Sequence, residues 1–365
     1  MSEPEGRSGT LGEATDAPGS GFAASVAAVS GPGGGGRRAL GPKLRRLLSF
    51  EELGITIALV VLVGLIGAFH GNFFTKNALL NTLQTASFVA IIAYGMVFLL
   101  AMGELDLSVG GTYALSTIIS AKLMAGGGMS PWLAVLLGIG VGAGMGAVNG
   151  LLASLLRLPL IIITLGSLSA YQGLATVLSN AGPVENLPTG ASFFSTLGGN
   201  WLGVPAAAWV AFVLVVVLSF VFTKTRFGTM VRAVGSNRQA AEFSGIPSGR
   251  IRLYAVTLTG ALAAVSGILS LAYFQGADPT IGGTPLELQV IAAAVIGGTA
   301  ISGGTGTVPG ALLGALIVAV INSGLLFFAI PSNWSDFVTG AVIIIAVATD
   351  SLLRRRRANR AMQGL

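Results

Sequence analysis

The 365-residue chain is 53% hydrophobic and only 9% charged, against roughly a quarter charged in a soluble domain, which leaves too little polar surface for a water-soluble globule. Its 54 glycines and 7% aromatics suit helices that approach closely in lipid, and unbroken apolar runs such as residues 55–68 exclude the alternating strands of a membrane barrel. The absence of cysteine excludes disulfides, thiolate nucleophiles and cysteine-bound metals, and the net charge of +6 is interpretable only once its bases are located.

Residues 1–48 are rich in Gly, Ala and Ser, with four consecutive glycines at 33–36, and read as a disordered cytoplasmic segment. An acidic start at Glu3 and Glu5, with no apolar stretch before the basic cluster Arg37–Arg46, argues against a signal peptide. A helix needs about 20 apolar residues to cross a bilayer core roughly 30 Å thick. Ten spans are predicted on that measure, near residues 53–70, 85–103, 107–125, 131–156, 158–179, 204–223, 253–274, 286–301, 308–330 and 335–353. The fold class is therefore all-α, a polytopic bundle of about ten transmembrane helices over residues 49–353 with a basic tail at 354–365. His70, the one histidine, flanks the first span and reads as an interfacial polar group.

The second and third spans are joined with almost no loop by Gly103–Gly111, which carries Glu104, Asp106 and Ser108. Two carboxylates between apolar segments need nearby donors or water. Either Asp106 or Ser108 caps the third helix, or these groups contact a solute. The fourth span repeats glycine every four residues, at Gly138, Gly142, Gly146 and Gly150, forming one flat stripe for a neighbouring helix. Gly310 and Gly314 offer a shorter stripe in the ninth span. The eighth span is short and glycine-broken, and reads as partly re-entrant.

Between the sixth and seventh spans, residues 223–252 hold six bases and one acid. Within them Ser236 or Asn237 is placed to cap a short helix through Phe243, Gly245 to end it, and Pro247 to prevent its continuation. Arg238 and Glu242 fall as an i, i+4 pair, and the exposed face is expected to present Ala240, Ala241 and Phe243.

With both termini inside, eighteen of the twenty bases fall in the cytoplasm and only Lys76 and Lys122 outside, which satisfies the positive-inside bias. This explains the basic charge without nucleic acid. The span interiors hold almost no charge, so Glu104, Asp106, Ser108, Asn149, Gln275 and Asn322 are the candidate path or gate residues, neutral donors and acceptors among them suiting a hydroxyl-rich solute. No Gly-rich loop ends in Gly-Lys-Ser/Thr, so a nucleotide phosphate has no cradle in this chain.

Three segments, GELDLSVGG at 103–111, AVGSNRQAAEFSGI at 233–246 and AAAVIGGTAISGGTGTVPGALLGALIVAVINSGL at 292–325, resemble the permease subunits of ABC importers for ribose, xylose and related monosaccharides. The resemblance implies a dimeric channel of the vitamin-B12-importer type in a bacterial inner membrane. It also implies two cytoplasmic ABC ATPases that hydrolyse ATP, an extracytoplasmic sugar-binding protein, a second permease copy or close paralogue, and no cofactor on this chain. By that likeness a coupling helix contacts the ATPase through Met230, Arg232, Gly235, Asn237, Arg238, Gln239, Ala240, Ala241, Glu242, Phe243 and Gly245. One departure stands out: Arg238-Gln239 occupies the place where the family commonly has Pro-Glu. Permeases for branched-chain amino acids or nucleosides share the wider superfamily, and an autonomous ion-coupled carrier or facilitator is the alternative outside it.

Overall fold

The structure is a computed structural model that describes residues 50–280, 286–331 and scattered positions between 334 and 348. The segment 1–48, the tail 354–365 and most of the tenth predicted span lie outside the described residues. The regular structure is helical apart from one two-residue antiparallel pair, Asn200–Trp201 with Val204–Pro205. In chain order the helices are α1 (Phe50–Phe69), α2 (Lys76–Ala101), α3 (Val109–Met124), α4 (Pro131–Leu155), α5 (Leu160–Leu178), α6 (Ser192–Leu197) and α7 (Ala206–Lys224). They continue as α8 (Arg226–Ser236), α9 (Arg238–Phe243), α10 (Ser248–Phe274), α11 (Leu286–Ile296) and α12 (Val308–Phe327).

Among the described residues six helices, α2, α4, α5, α7, α10 and α12, are long and apolar enough to cross a membrane. The apolar part of α1, Leu53–Phe69, is shorter, as is α11. At 11 residues α11 rises only about 16 Å before Gly297 and Gly298 turn the chain. The molecule is thus an all-α, multi-pass membrane protein.

Local chemistry sets several boundaries. Pro131 stands in the first turn of α4, where its missing N–H costs nothing. The Thr307 hydroxyl accepts from the Gly310 N–H at 3.1 Å to cap α12. Two helices begin earlier than their apolar runs suggest. Helix α2 starts at Lys76, nine residues before the predicted span, because its first turns are polar. Helix α10 starts at Ser248, five residues early, because the Arg250 and Arg252 charges mask a helix whose Arg252 is buried. The short α6, the strand pair and the separate amphipathic helix α8 have no apolar run long enough to read as a span and are not among the predicted elements.

Helices α2 and α10 form the centre and are buried along most of their length, while α5 and α7 keep most of their apolar side chains outward, as lipid-facing helices do. The α4 glycine stripe lies directly against α10. A Cβ on Gly142 would stand 2.5 Å from the Ala264 Cβ and 2.7 Å from the Gly260 carbonyl oxygen. One on Gly146 would meet the Val256 carbonyl and lie 3.1 Å from the Thr257 Cα, and one on Gly150 would lie 3.1 Å from the Leu253 Cα. Gly138 faces Ser116 and Ser120 of α3 and the Ile268 side chain of α10. In α12, Gly314 meets the backbone of Ala293 on α11, and Gly310 that of Gly297 just past its end, in the same manner.

Candidate functional site

Helix α2 stops at a glycine. Gly103 takes a positive φ of 73° and its N–H bonds the Leu100 carbonyl at 2.8 Å, while the Glu104 N–H reaches the Leu99 carbonyl at 2.9 Å. This pair of bonds satisfies the last carbonyls of the helix and turns the chain back. The linker then delivers Asp106, 1% exposed, to the head of α3. One Asp106 oxygen, Oδ1, accepts from the Ser108 N–H at 2.8 Å and the Ser108 hydroxyl at 2.6 Å. Ser108 occupies the N-cap position of α3, yet its hydroxyl makes no capping bond because it is turned to Asp106. The capping expectation is corrected accordingly: Asp106 receives the Ser108 N–H, and the Ser108 side chain passes the network onward.

That network crosses three elements. Asn149, fully buried on the glycine-rich α4, donates to the Ser108 hydroxyl oxygen at 2.8 Å. Its own oxygen accepts from Ser167 at 2.6 Å and Tyr171 at 2.9 Å, both on α5. The Thr164 hydroxyl oxygen, also on α5, accepts from the Leu107 N–H at 3.1 Å. Removing the central residue strands several buried groups, each costing about 1–3 kcal/mol when left unsatisfied. Asn149→Leu is expected to destabilise the protein by about 3 kcal/mol and Tyr171→Phe by about 1 kcal/mol, read as thermal unfolding in detergent. Equal, small losses from the two would remove Asn149 from the centre of the network.

Glu104 joins a second, charged cluster. Its carboxylate lies 2.7 Å from Arg252 on α10 and 3.2 Å from Arg238 on α9, and Arg238 also lies 3.5 Å from Glu242. The α9 helix is set by local signals: the Asn237 Oδ1 accepts from the Ala240 N–H at 3.0 Å, and Gly245, at φ 82°, ends it with the Ile246 N–H on the Ala241 carbonyl. The Ser248 hydroxyl, with Arg238 beside it, holds the exposed Glu242 carboxyl below the usual carboxylate range.

Burial corrects the expected outward face of this helix. Ala241 is 5% exposed and packs inward, whereas Ala240, Gln239 and Phe243 face outward, Phe243 at 93%. In α8, Met230 packs partly against the core, and Arg232 lies 5.5 Å from the Phe222 ring centroid. Gly235 lies against the Ala101 carbonyl at the end of α2, and the Gly304 N–H bonds that same carbonyl at 2.8 Å. The α8–α9 pair is thus seated on the end of α2.

The remaining candidates stand elsewhere. Gln275 is exposed in a left-handed conformation just past α10, and Asn322 is half-buried on α12. Next to them, Thr82 and Ser323 share a hydrogen bond of 2.8 Å and Tyr273 donates to Asn81 at 3.3 Å. Asn81, Thr82, Ser323 and Phe327 line a cavity of about 360 Å³. From Thr82 to Glu104 the helix rise amounts to roughly 30 Å, so this neutral cavity and the charged cluster lie at opposite ends of α2. Sequence reasoning missed Arg252 and Arg157 as site residues. The one available signal for Arg252 was a lone arginine continuing directly into an apolar helix.

Comparison with known proteins places these features in context. Residues 78–347 match the family model described as branched-chain amino acid transport system / permease component. The chain is similar to the ribose import permease protein RbsC of Escherichia coli (strain K12), 36% identical over 297 residues, covering 81% of this chain and 92% of the relative. It is 35% identical over 300 residues to RbsC of Bacillus subtilis (strain 168), covering 82% and 92%. It is 32% identical over 311 residues to the autoinducer 2 import system permease protein LsrC of Photorhabdus luminescens, covering 85% and 93%. No solved structure matches the chain.

Proposed function

The chain belongs to the branched-chain amino acid transport system permease family, and from that membership we propose that it is the membrane-spanning permease subunit of an ATP-driven importer for a monosaccharide of the ribose type. The observation that carries this reading is the similarity to ribose import permeases over most of both chains, joined to a bundle without a nucleotide cradle. The chain binds no cofactor of its own. ATP is hydrolysed by a cytoplasmic ABC ATPase, and sugar arrives from an extracytoplasmic binding protein. Two permease copies, or one and a close paralogue, complete the channel.

Ten spans with both termini in the cytoplasm are part of the same proposal. The positive-inside bias supports this orientation, as does the meeting of Arg157, Arg238 and Arg252 at one end of the bundle. In that orientation α8 and α9 lie toward the ATPase, with Met230, Arg232, Gly235 and the inward Ala241 seating the pair, Asn237, Gln239, Ala240, Glu242 and Gly245 on its exposed side, and Phe243 as the outward anchor. A 93% exposed phenylalanine on a short helix between spans is not explained by lipid contact along a span, and an aromatic anchor of the hot-spot kind accounts for it. Arg238-Gln239 stands where the family commonly has Pro-Glu, and Arg238 is turned inward to Glu104, so the ATPase contact of this protein relies on Gln239, Ala240 and Phe243. The solute path runs from the hydroxyl-lined cavity near Asn322 and Gln275 toward the Asp106, Ser108 and Asn149 network.

Reconstitution in liposomes with the ATPase and binding protein tests the reading. Sugar uptake is expected only with all components and ATP, and concentrative uptake by the isolated chain would overturn it. Phe243→Glu is expected to lower ATP-driven uptake at least about tenfold, the size of a hot-spot loss, with unchanged thermal stability, since the side chain buries nothing in the free protein.

A further inference from the structure

Beside the charged cluster lies a cavity of about 520 Å³ lined by Glu104, Ser154, Arg157, Arg238 and Arg252 among others. Three guanidinium groups face one carboxylate there. Arg252 is 7% exposed and its buried Nε–H finds no acceptor among the described residues. Arg157 makes no ion pair or hydrogen bond among the described residues either. It follows the end of α4 with a positive φ of 55°, a position that favours glycine or asparagine, so its side chain is kept at this spot against the local backbone preference. The wall that carries Arg157 continues outward into Leu155, Leu156 and Leu158, exposed at 68%, 56% and 39%, and onward to Ile161 and Ile162 of α5. A cationic recess of ligand size thus opens onto an apolar, lipid-facing surface.

We propose that this recess holds the phosphoryl headgroup of an anionic phospholipid, with the acyl chains lying along α4 and α5. Guanidinium forks match phosphate oxygens bidentately, and basic recesses between helices at a membrane surface recognise such headgroups. A water-soluble phosphate has no use for the leucines beside Arg157, which is why the lipid is the assigned source. The ligand would touch Arg238 on α9 and Arg252 on α10 together, tying the position of α9 to the surrounding leaflet. The proposal depends on the chain spanning a membrane and is independent of the cargo and of the ATPase.

The test uses the full chain purified in detergent, delipidated and followed by native mass spectrometry, with phosphatidylglycerol, phosphatidylcholine and inorganic phosphate as separate probes. The wild-type chain is expected to retain one phosphatidylglycerol and to bind it at least about fivefold more tightly than phosphatidylcholine. Arg157→Gln should lose that preference, Arg157→Lys should keep most of it, and equal thermal unfolding of the variants will show that the fold is intact. Equal retention of the two lipids, or an Arg157→Gln chain that binds phosphatidylglycerol like the wild type, would overturn the site. Inorganic phosphate binding as tightly as phosphatidylglycerol would overturn the lipid assignment.

Discussion

Gly146→Leu is expected to leave almost no folded protein. The α4–α10 seam is a backbone-to-backbone contact, and even a methyl at position 146 meets the Val256 carbonyl and the Thr257 Cα. Overpacking a core commonly costs 1–3 kcal/mol when side chains can shift. Here the obstacle is main chain, so leucine must push α4 away from the buried α10 and the cost should exceed about 3 kcal/mol. Gly144 supplies the control, because a Cβ there meets nothing within 4 Å. Gly144→Leu should be recovered from detergent at wild-type yield and unfolding temperature, while Gly146→Leu should aggregate. Comparable yields for the two would mean that the seam does not hold the bundle together.

The second large effect lies at Glu104. Its carboxylate faces Arg252, and both side chains are about nine-tenths buried, whereas Arg238 is 43% exposed. Removing one partner of a buried pair leaves an uncompensated charge and costs about 3–5 kcal/mol. Glu104→Gln should therefore lower the unfolding temperature by on the order of 10 °C. Arg238→Gln, which removes a solvated partner, should cost less than about 1 kcal/mol. Replacing both buried groups, as in Glu104→Gln with Arg252→Met, should recover much of the loss, since the penalty belongs to the orphaned guanidinium. A Glu104→Gln chain that unfolds like the wild type would deny the pair its structural role.

Much of the architecture was legible because membrane helices announce themselves by length and apolarity. The apolar interiors of α4, α5, α7, α10 and α12 follow from that alone. The bounds of α9 were equally readable, since Asn237 and Gly245 act within a few residues of themselves. What could not be read were relations across the chain. Arg252 looks like the edge of a loop until Glu104, far away in sequence, is brought to it. Ala241 looks like its neighbours until α9 is seated and one side is covered. Asp106, Ser108 and Asn149 were each singled out, but their joining through one amide, with Ser167 and Tyr171 completing it, depends on how α4 and α5 pack.

The two ends of α2 are fastened by different chemistry. At one end Thr82 meets Ser323 and Tyr273 meets Asn81 through neutral groups, and each such bond contributes about 1 kcal/mol net. On the proposed solute path, a sugar hydroxyl would exchange with any one of them at little net loss, because one neutral hydrogen bond replaces another. At the other end the fastening is ionic and, for Glu104 and Arg252, largely buried, so parting it costs several kcal/mol rather than about one.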